Sequence, residues 1–212
     1  DCEVLNYSNK ELDDRELGTR FSFNPSDAIR FVLRRGFERQ RLKSFAHFAE
    51  CNLGLTGKLD RQALIDRARS LDCVFIGSDQ VFNPRVNGHD PVFLGEGIAE
   101  VTKVASYAAS LGDATAQSIE TCDEGAANRL AKFTGLAVRE PSSMDVLSGM
   151  GLESVFMPDP TLLLTGDEWS EFVSDDELDT MPQSYVLLYT LNSEQKLVDR
   201  AREIAGELRV PV

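Results

Sequence analysis

The residues best suited to chemistry stand where short apolar runs end. Cys73-Val74-Phe75-Ile76 is followed at once by Gly77-Ser78-Asp79-Gln80, and then by Val81-Phe82-Asn83-Pro84. Glycine lets a backbone turn sharply or approach a ligand. The next three residues offer a hydroxyl, a carboxylate and a carboxamide within one turn. The plainer alternative is a capped turn in which Asp79 accepts backbone N–H groups. A second cluster is Ser106-Tyr107-Ala108-Ala109-Ser110-Leu111-Gly112. Its small residues let a loop lie against a ligand, with Ser110 and Gly112 donating to a phosphate, or they serve only close strand–helix packing. The third is Arg139-Glu140, after Leu136-Ala137-Val138. An arginine there suits bidentate capture of a carboxylate or phosphate; as an exposed ion pair it would contribute little. Asp159, between Pro158 and Pro160, reads as a rigid structural turn. His89, in Asn87-Gly88-His89-Asp90, is either a proton-transfer group or a solvated loop residue. His47 reads as structural.

These groups need elements to hold them. Runs rich in Val, Ile, Phe and Tyr predict strands at 2–7, 73–77, 103–109, 136–139, 155–158 and 185–191. Helices are expected at 25–50, 60–70, 122–133, 142–149 and 193–208. The first would carry Ile29, Val32, Leu33, Phe37, Phe45 and Phe48 on its apolar stripe. Strand and helix alternate, which predicts parallel strands with helices on both faces, a doubly wound α/β sheet. Ligands in such sheets bind at the carboxyl ends of the strands, where all three clusters fall. The acidic stretch 165–184 reads as a connector between a domain over 1–164 and the opening of another over 185–212. The chain begins without Met in a strand-like segment and closes on Val210-Pro211-Val212; both ends are expected to be cut.

Composition narrows the function. With 212 residues, 42% apolar and 27% charged, the chain can bury a substantial core. No apolar run approaches the roughly 18 residues of a membrane span. A net charge of −13 argues against general nucleic-acid binding. The four cysteines are scattered without a CxxC pair, which fits neither a disulfide scaffold nor a zinc site and makes a reducing cytoplasm the default. Cys73 reads as a buried small hydrophobe. HExxH, GxGxxG, P-loop and GxSxG patterns are absent. Arg30, Arg34, Arg35, Arg39, Arg41 and Lys43 face only Glu38 over residues 30–43. Such a run is ordinarily a solvated helix face; otherwise it would dock an anionic glycan or a lipid-phosphate carrier at a membrane.

Taken in order, the clusters resemble the polysaccharide pyruvyl transferase family. Residues Phe75 to Pro84 are similar to the family's hallmark, usually GSDQVWNP, with Phe82 where Trp is common. Asp1 to Tyr7, Lys103 to Gly112, Val138-Arg139-Glu140, and Asp159 to Leu164 with Trp169 match in the expected order. The resemblance implies two Rossmann-like domains facing a cleft, as in GT-B glycosyltransferases. This chain would be the first domain, truncated: the family's opening strand and glycine-containing loop are missing, as is most of the second domain with its His-containing catalytic motif. It further implies transfer of the enolpyruvyl group of phosphoenolpyruvate onto two hydroxyls of a sugar or lipid-linked glycan. The product is a cyclic ketal, formed in the cytoplasm or at the inner membrane face, with neither cofactor nor metal. The reaction needs an acid for the methylene carbon, a base for the hydroxyl protons and donors for a carboxylate and a departing phosphate. By this resemblance Arg139 is the anion anchor and Asp79 orients a sugar hydroxyl. Gly77, Ser78, Gln80, Asn83, Tyr107, Ser110, Gly112, Glu140 and His89 are expected to line the substrate. Two other readings stay open: a nucleotide-sugar glycosyltransferase of the same two-lobed form, and a non-catalytic glycan-binding protein.

Overall fold

A computed structural model describes residues 2–16, 42–172, 181–190 and 194–212. It divides into two compact units, Asp1–Leu162 and Leu163–Val212. The first combines helices with small parallel sheets. Strand β1 (Cys73–Ile76) pairs in parallel with β2 (Lys103–Ser106), Cys73 opposite Lys103 and Ile76 opposite Ser106. Strand β3 (Ala137–Val138) pairs in parallel with β4 (Val155–Phe156). Parallel bridges Ala105–Gly135 and Ala109–Val138 join the two pairs edge to edge, so the order is β1-β2-β3-β4.

The joint between β2 and β3 is a bulge. Between the two bridges the first chain runs from 105 to 109 and its partner only from 135 to 138. The extra residue is absorbed where Ala108 takes a φ of 48°, and such an insertion bends the bulged strand. The buried Ser106 hydroxyl fills the break: Oγ donates to the Ala137 carbonyl at 3.0 Å and accepts the Ala137 N–H at 2.8 Å. The Ala137 carbonyl also accepts the Ala109 N–H at 3.1 Å, so removing the hydroxyl leaves the buried Ala137 N–H without an acceptor, which costs about 1–3 kcal/mol. Ser106→Ala is therefore expected to lower the denaturant midpoint without changing the slope of the transition.

Helices connect the strands in the order α1 (Lys10–Glu16), α2 (42–52), α3 (Arg61–Ala68), α4 (Pro84–Asn87), α5 (Ala116–Cys122), α6 (Ala126–Leu130) and α7 (Pro141–Gly149). Their starts follow capping chemistry. Asp60 accepts the Ala63 N–H ahead of α3, Thr115 and Ser118 form a capping box ahead of α5, and Pro84 and Pro141 open α4 and α7. The core gathers Val74, Ile76, Phe82, Val104, Leu111, Val138 and Leu147. Phe82, 1% exposed, meets Phe133 edge-on with ring centroids 6.0 Å apart.

Several sequence expectations change. The predicted helix 122–133 is realised only as α6 over Ala126–Leu130, while α5, over Ala116–Cys122, lies almost wholly ahead of it and stands apart from α6 at Asp123-Glu124-Gly125. Among the described residues the predicted strand 2–7 makes only isolated parallel bridges, Val4 to Leu55 and Tyr7 to Leu59. Phe45 and Phe48, expected on a buried stripe, are 65% and 46% exposed, and Cys73 is only half-buried. Most of helix 25–50 and all but Lys43 of the basic cluster lie outside the described residues.

Between segment 2–7 and β1 runs a groove of about 720 Å³, walled by Val4, Leu5 and Tyr7 on one side and Val74, Phe75 and Gly77 on the other. Ile76 directs its carbonyl to Tyr107 N–H on the β2 side. Strand residues alternate their backbone groups between the two edges, so Cys73 and Phe75 present theirs to this groove.

In the second unit a capping box of Thr165 and Glu168 opens α8 (Gly166–Ser170). A longer helix spans Gln195–Leu208. The segment 185–190, predicted as a strand, joins no ladder among the described residues; Val186 N–H donates to the Pro211 carbonyl at 2.9 Å. No helix among the described residues is long and apolar enough to cross a membrane.

Candidate active site at the strand tips

Four loops leave the carboxyl ends of β1 to β4, and hydrogen bonds draw them together. The loop after β1 turns at Gly77, whose φ of 136° is a conformation side chains rarely adopt. A Cβ there would collide with the Tyr107 carbonyl. The Gly77–Ser78 peptide is cis. The Asp79 carbonyl accepts from Val81 N–H (2.7 Å) and Ser110 N–H (3.0 Å), and Phe82 N–H donates to the Ser110 carbonyl at 3.2 Å. The β1 and β2 loops are thus laced through their backbones.

Arg139 ties in the other two. Its Nε donates to Glu140 Oε1 at 2.9 Å, and its Nη1 donates both to the Ser78 carbonyl at 3.1 Å and to Asp159 Oδ2 at 2.9 Å. Glu140 Oε2 accepts from the Ser143 hydroxyl at 3.1 Å, and Ser143 Oγ accepts the Leu111 N–H at 3.4 Å. The guanidinium is 28% exposed and meets two carboxylates. Their hydrogen bonds hold it charged by raising its pKa. The cluster of Arg139, Glu140 and Asp159 is therefore net negative, and Arg139 is less of an isolated cation than its position at a strand end suggests. Asp159 is held down to about 2, first by the Thr161 backbone N–H, then by the Thr161 hydroxyl and Arg139. A depressed folded value means its contribution to stability is present above the ordinary value of 3.8 and is lost as pH falls toward about 2. The stability gap between wild type and Asp159→Asn is expected to be constant near neutrality and to close across that acid window in thermal melts.

The carboxamides form a second network. Asn83, 1% exposed, caps α4 by accepting the Arg85 N–H at 3.1 Å. Its Nδ2 donates to Gln80 Oε1 at 3.0 Å and to Asp113 Oδ1 at 3.1 Å. Arg85 in turn donates to Asp113 Oδ2 at 3.1 Å. Gly112 lies beneath, at a φ of 58°, where a Cβ would strike the Gln80 carboxamide.

Nine of the sequence candidates thus fall in one place: Gly77, Ser78, Asp79, Gln80, Asn83, Ser110, Gly112, Arg139 and Glu140 are joined through these loops. Asp79 is exposed and Ser78 and Gln80 are half-buried. Ser110 is buried, and its Oγ accepts the Gly112 N–H at 3.0 Å, so the Gly112 N–H offered as a phosphate donor is already taken. Tyr107 is half-buried and contributes its backbone, N–H to the Ile76 carbonyl at 3.2 Å. His89 stands apart: it is exposed, at a φ of 55° on the turn after α4. Around that turn, Asn9 Nδ2 donates to the Asn87 carbonyl and to Asp90.

Asp113 and Ser143 were not anticipated. A signal for Asp113 existed: an Asn-Pro helix start buries a carboxamide whose N–H groups need acceptors. Asp159, read as a turn, is also a partner of Arg139.

No curated protein and no solved structure matches the chain. A family model does. The family's description names a pyruvyl transferase with a polysaccharide as its acceptor. That match runs over residues 1–212, the whole chain, and the protein belongs to the polysaccharide pyruvyl transferases.

Proposed function

We propose that the protein moves the pyruvyl group of phosphoenolpyruvate onto two hydroxyls of one sugar in a cell-surface polysaccharide or its lipid-linked precursor, closing a cyclic ketal. The observation that carries this reading is the convergence of the family's segments on one rim, with Arg139 bridging the Ser78 carbonyl to Asp159. One hydroxyl oxygen bonds to C2 of the donor and gives up its proton to a base, while C3 takes a proton from an acid and becomes a methyl group. The C2–O bond to phosphate then breaks, the second hydroxyl oxygen takes its place, and its proton leaves with the phosphate. In this scheme Asp79 orients an acceptor hydroxyl. Arg139 holds the rim and has Nη2, which makes no hydrogen bond among the described residues, to meet an anionic oxygen. Ser78 and Gln80 line the same rim, and Asn83, Ser110, Gly112 and Glu140 hold its loops in register. The donor is a cytoplasmic metabolite, which places the reaction on that side of the membrane.

The fold we propose for the whole is Rossmann-like and doubly wound, the first domain of a GT-B-like architecture. The groove between segment 2–7 and β1 supports this. One more parallel strand seated there would pair the edge of β1 that no described residue pairs and give a sheet that grows outward in both directions. Its carboxyl end would arrive beside Gly77, which lines the groove.

Full-length protein incubated with phosphoenolpyruvate and a panel of oligosaccharides should release phosphate only when an acceptor is present. Release at the same rate without acceptor would overturn the reading.

A further inference from the structure

We infer that the Gln80 carboxamide is locked as a hydrogen-bond donor by Asn83 and Asp113, and that with Asp79 it forms the subsite for the acceptor's pair of hydroxyls. This rests on the transferase reading and names the substrate that this part of the rim takes.

The lock follows from counting donors and acceptors. The Arg85 N–H can only donate, so the Asn83 atom it meets at 3.1 Å is the carbonyl oxygen. The Asp113 carboxylate only accepts, so the Asn83 atom 3.1 Å from it is the nitrogen. Both constraints give the same orientation. The second N–H of that nitrogen then points at Gln80 at 3.0 Å and requires an oxygen there. Gln80 therefore turns its Oε1 inward, and its Nε2, which makes no hydrogen bond among the described residues, is the group left to present. A glutamine would otherwise offer either end.

The charge of the surroundings decides what this donor meets. Asp79, the preceding residue, is exposed and acceptor-only, while Glu140 and Asp159 outnumber Arg139 nearby. A phosphate or carboxylate placed against Asp79 would meet like charge. A pair of sugar hydroxyls has no such conflict: one donates to Asp79 and the other accepts from Gln80. Gln80 and Asp79 touch the acceptor in this arrangement; Asn83 and Asp113 are positioning residues.

The test uses the full-length protein carrying the paired exchange Asn83→Asp with Asp113→Asn. The exchange keeps the helix cap, the charge count and the hydrogen bond between the two positions. It presents Gln80 with a carboxylate oxygen, so the carboxamide must turn its nitrogen inward. Gln80→Glu places an oxygen outward without touching the lock. Both are expected to raise the acceptor KM by about tenfold, the equivalent of one lost hydrogen bond, with the phosphoenolpyruvate KM unchanged and the melting temperature of Gln80→Glu close to wild type. If the paired exchange fails to fold, Gln80→Glu decides alone. An unchanged acceptor KM, or a loss that falls on the phosphoenolpyruvate KM instead, overturns the inference. Calorimetry with neutral oligosaccharides bearing hexose diols, without phosphoenolpyruvate, separates the two claims. Binding that Gln80→Glu weakens supports the subsite even if the wild type transfers nothing, an outcome that removes the transferase reading alone. No binding by wild type overturns the subsite.

Discussion

Gly77→Ala is expected to lower the melting temperature by roughly 4–24 °C and to remove transferase activity. The backbone φ of 136° is open to glycine and strained for any other residue, at about 1–3 kcal/mol. The added Cβ also points at the Tyr107 carbonyl, with Ala109 N 3.2 Å away. Both are backbone atoms of the neighbouring loop, which is fixed by the Tyr107 and Ala109 N–H hydrogen bonds, so no side chain can swing aside. Overpacking adds about 1–3 kcal/mol, and a chain of this size loses about 2–4 °C per kcal/mol. Gly57→Ala, where a Cβ meets nothing within 4 Å, is the control and should melt like wild type. Thermal melts of the two variants side by side check the claim; equal melting temperatures would refute it.

Arg139→Ala carries the second large effect. It removes the shared donor of the Ser78 carbonyl, Glu140 Oε1 and Asp159 Oδ2. A hydrogen bond to a charged group is worth about 1.5–3 kcal/mol, and like-charged Glu140 and Asp159 would then stand without their shared cation. The activity expected is at least about 100-fold below wild type in kcat/KM, from roughly 2.7 kcal/mol of lost transition-state stabilisation. Arg139→Lys separates two roles. A lysine keeps the charge but lacks the planar fork that reaches acceptors in several directions. If Arg139 acted as a point charge for the donor, the lysine variant would retain most of its activity. Because it ties three loops, most of the activity is expected to be lost in Arg139→Lys as well, with a melting temperature between those of wild type and Arg139→Ala.

How much of this was legible in the sequence depends on what each residue answers to. Strands β1 and β2 and helices α3 and α7 were readable because apolar runs and helix starts are local signals. Segment 185–190 reads as a strand by composition, yet a strand exists only when another chain segment pairs with it. The bulge at Ala108 was invisible for a related reason: it is a mismatch in length between two strands distant in sequence. The loops 77–83, 106–112 and 139–140 were identifiable because small and polar residues directly after an apolar run mark strand tips. What they do to each other was not. Arg139 reads from the sequence as an anion anchor or a pair with Glu140, and its second carboxylate, Asp159, lies 20 residues further on. Gly112 looked like a ligand donor because the hydrogen bond that takes its N–H to Ser110 depends on the turn between them. His89, read as a loop group able to transfer a proton, is carried by α4 to the turn beside Asn9 and Asp90.

The most direct test of the central claim is to run the reaction of the full-length protein with an acceptor oligosaccharide in deuterated water and analyse the glycan by mass spectrometry and NMR. The account predicts a glycan heavier by one pyruvate less one water, with a methyl group that carries one solvent-derived deuterium and both former hydroxyl oxygens bonded to the same carbon. A glycan left unmodified while phosphoenolpyruvate is consumed, or one carrying an intact enol ether with no deuterium, would contradict it.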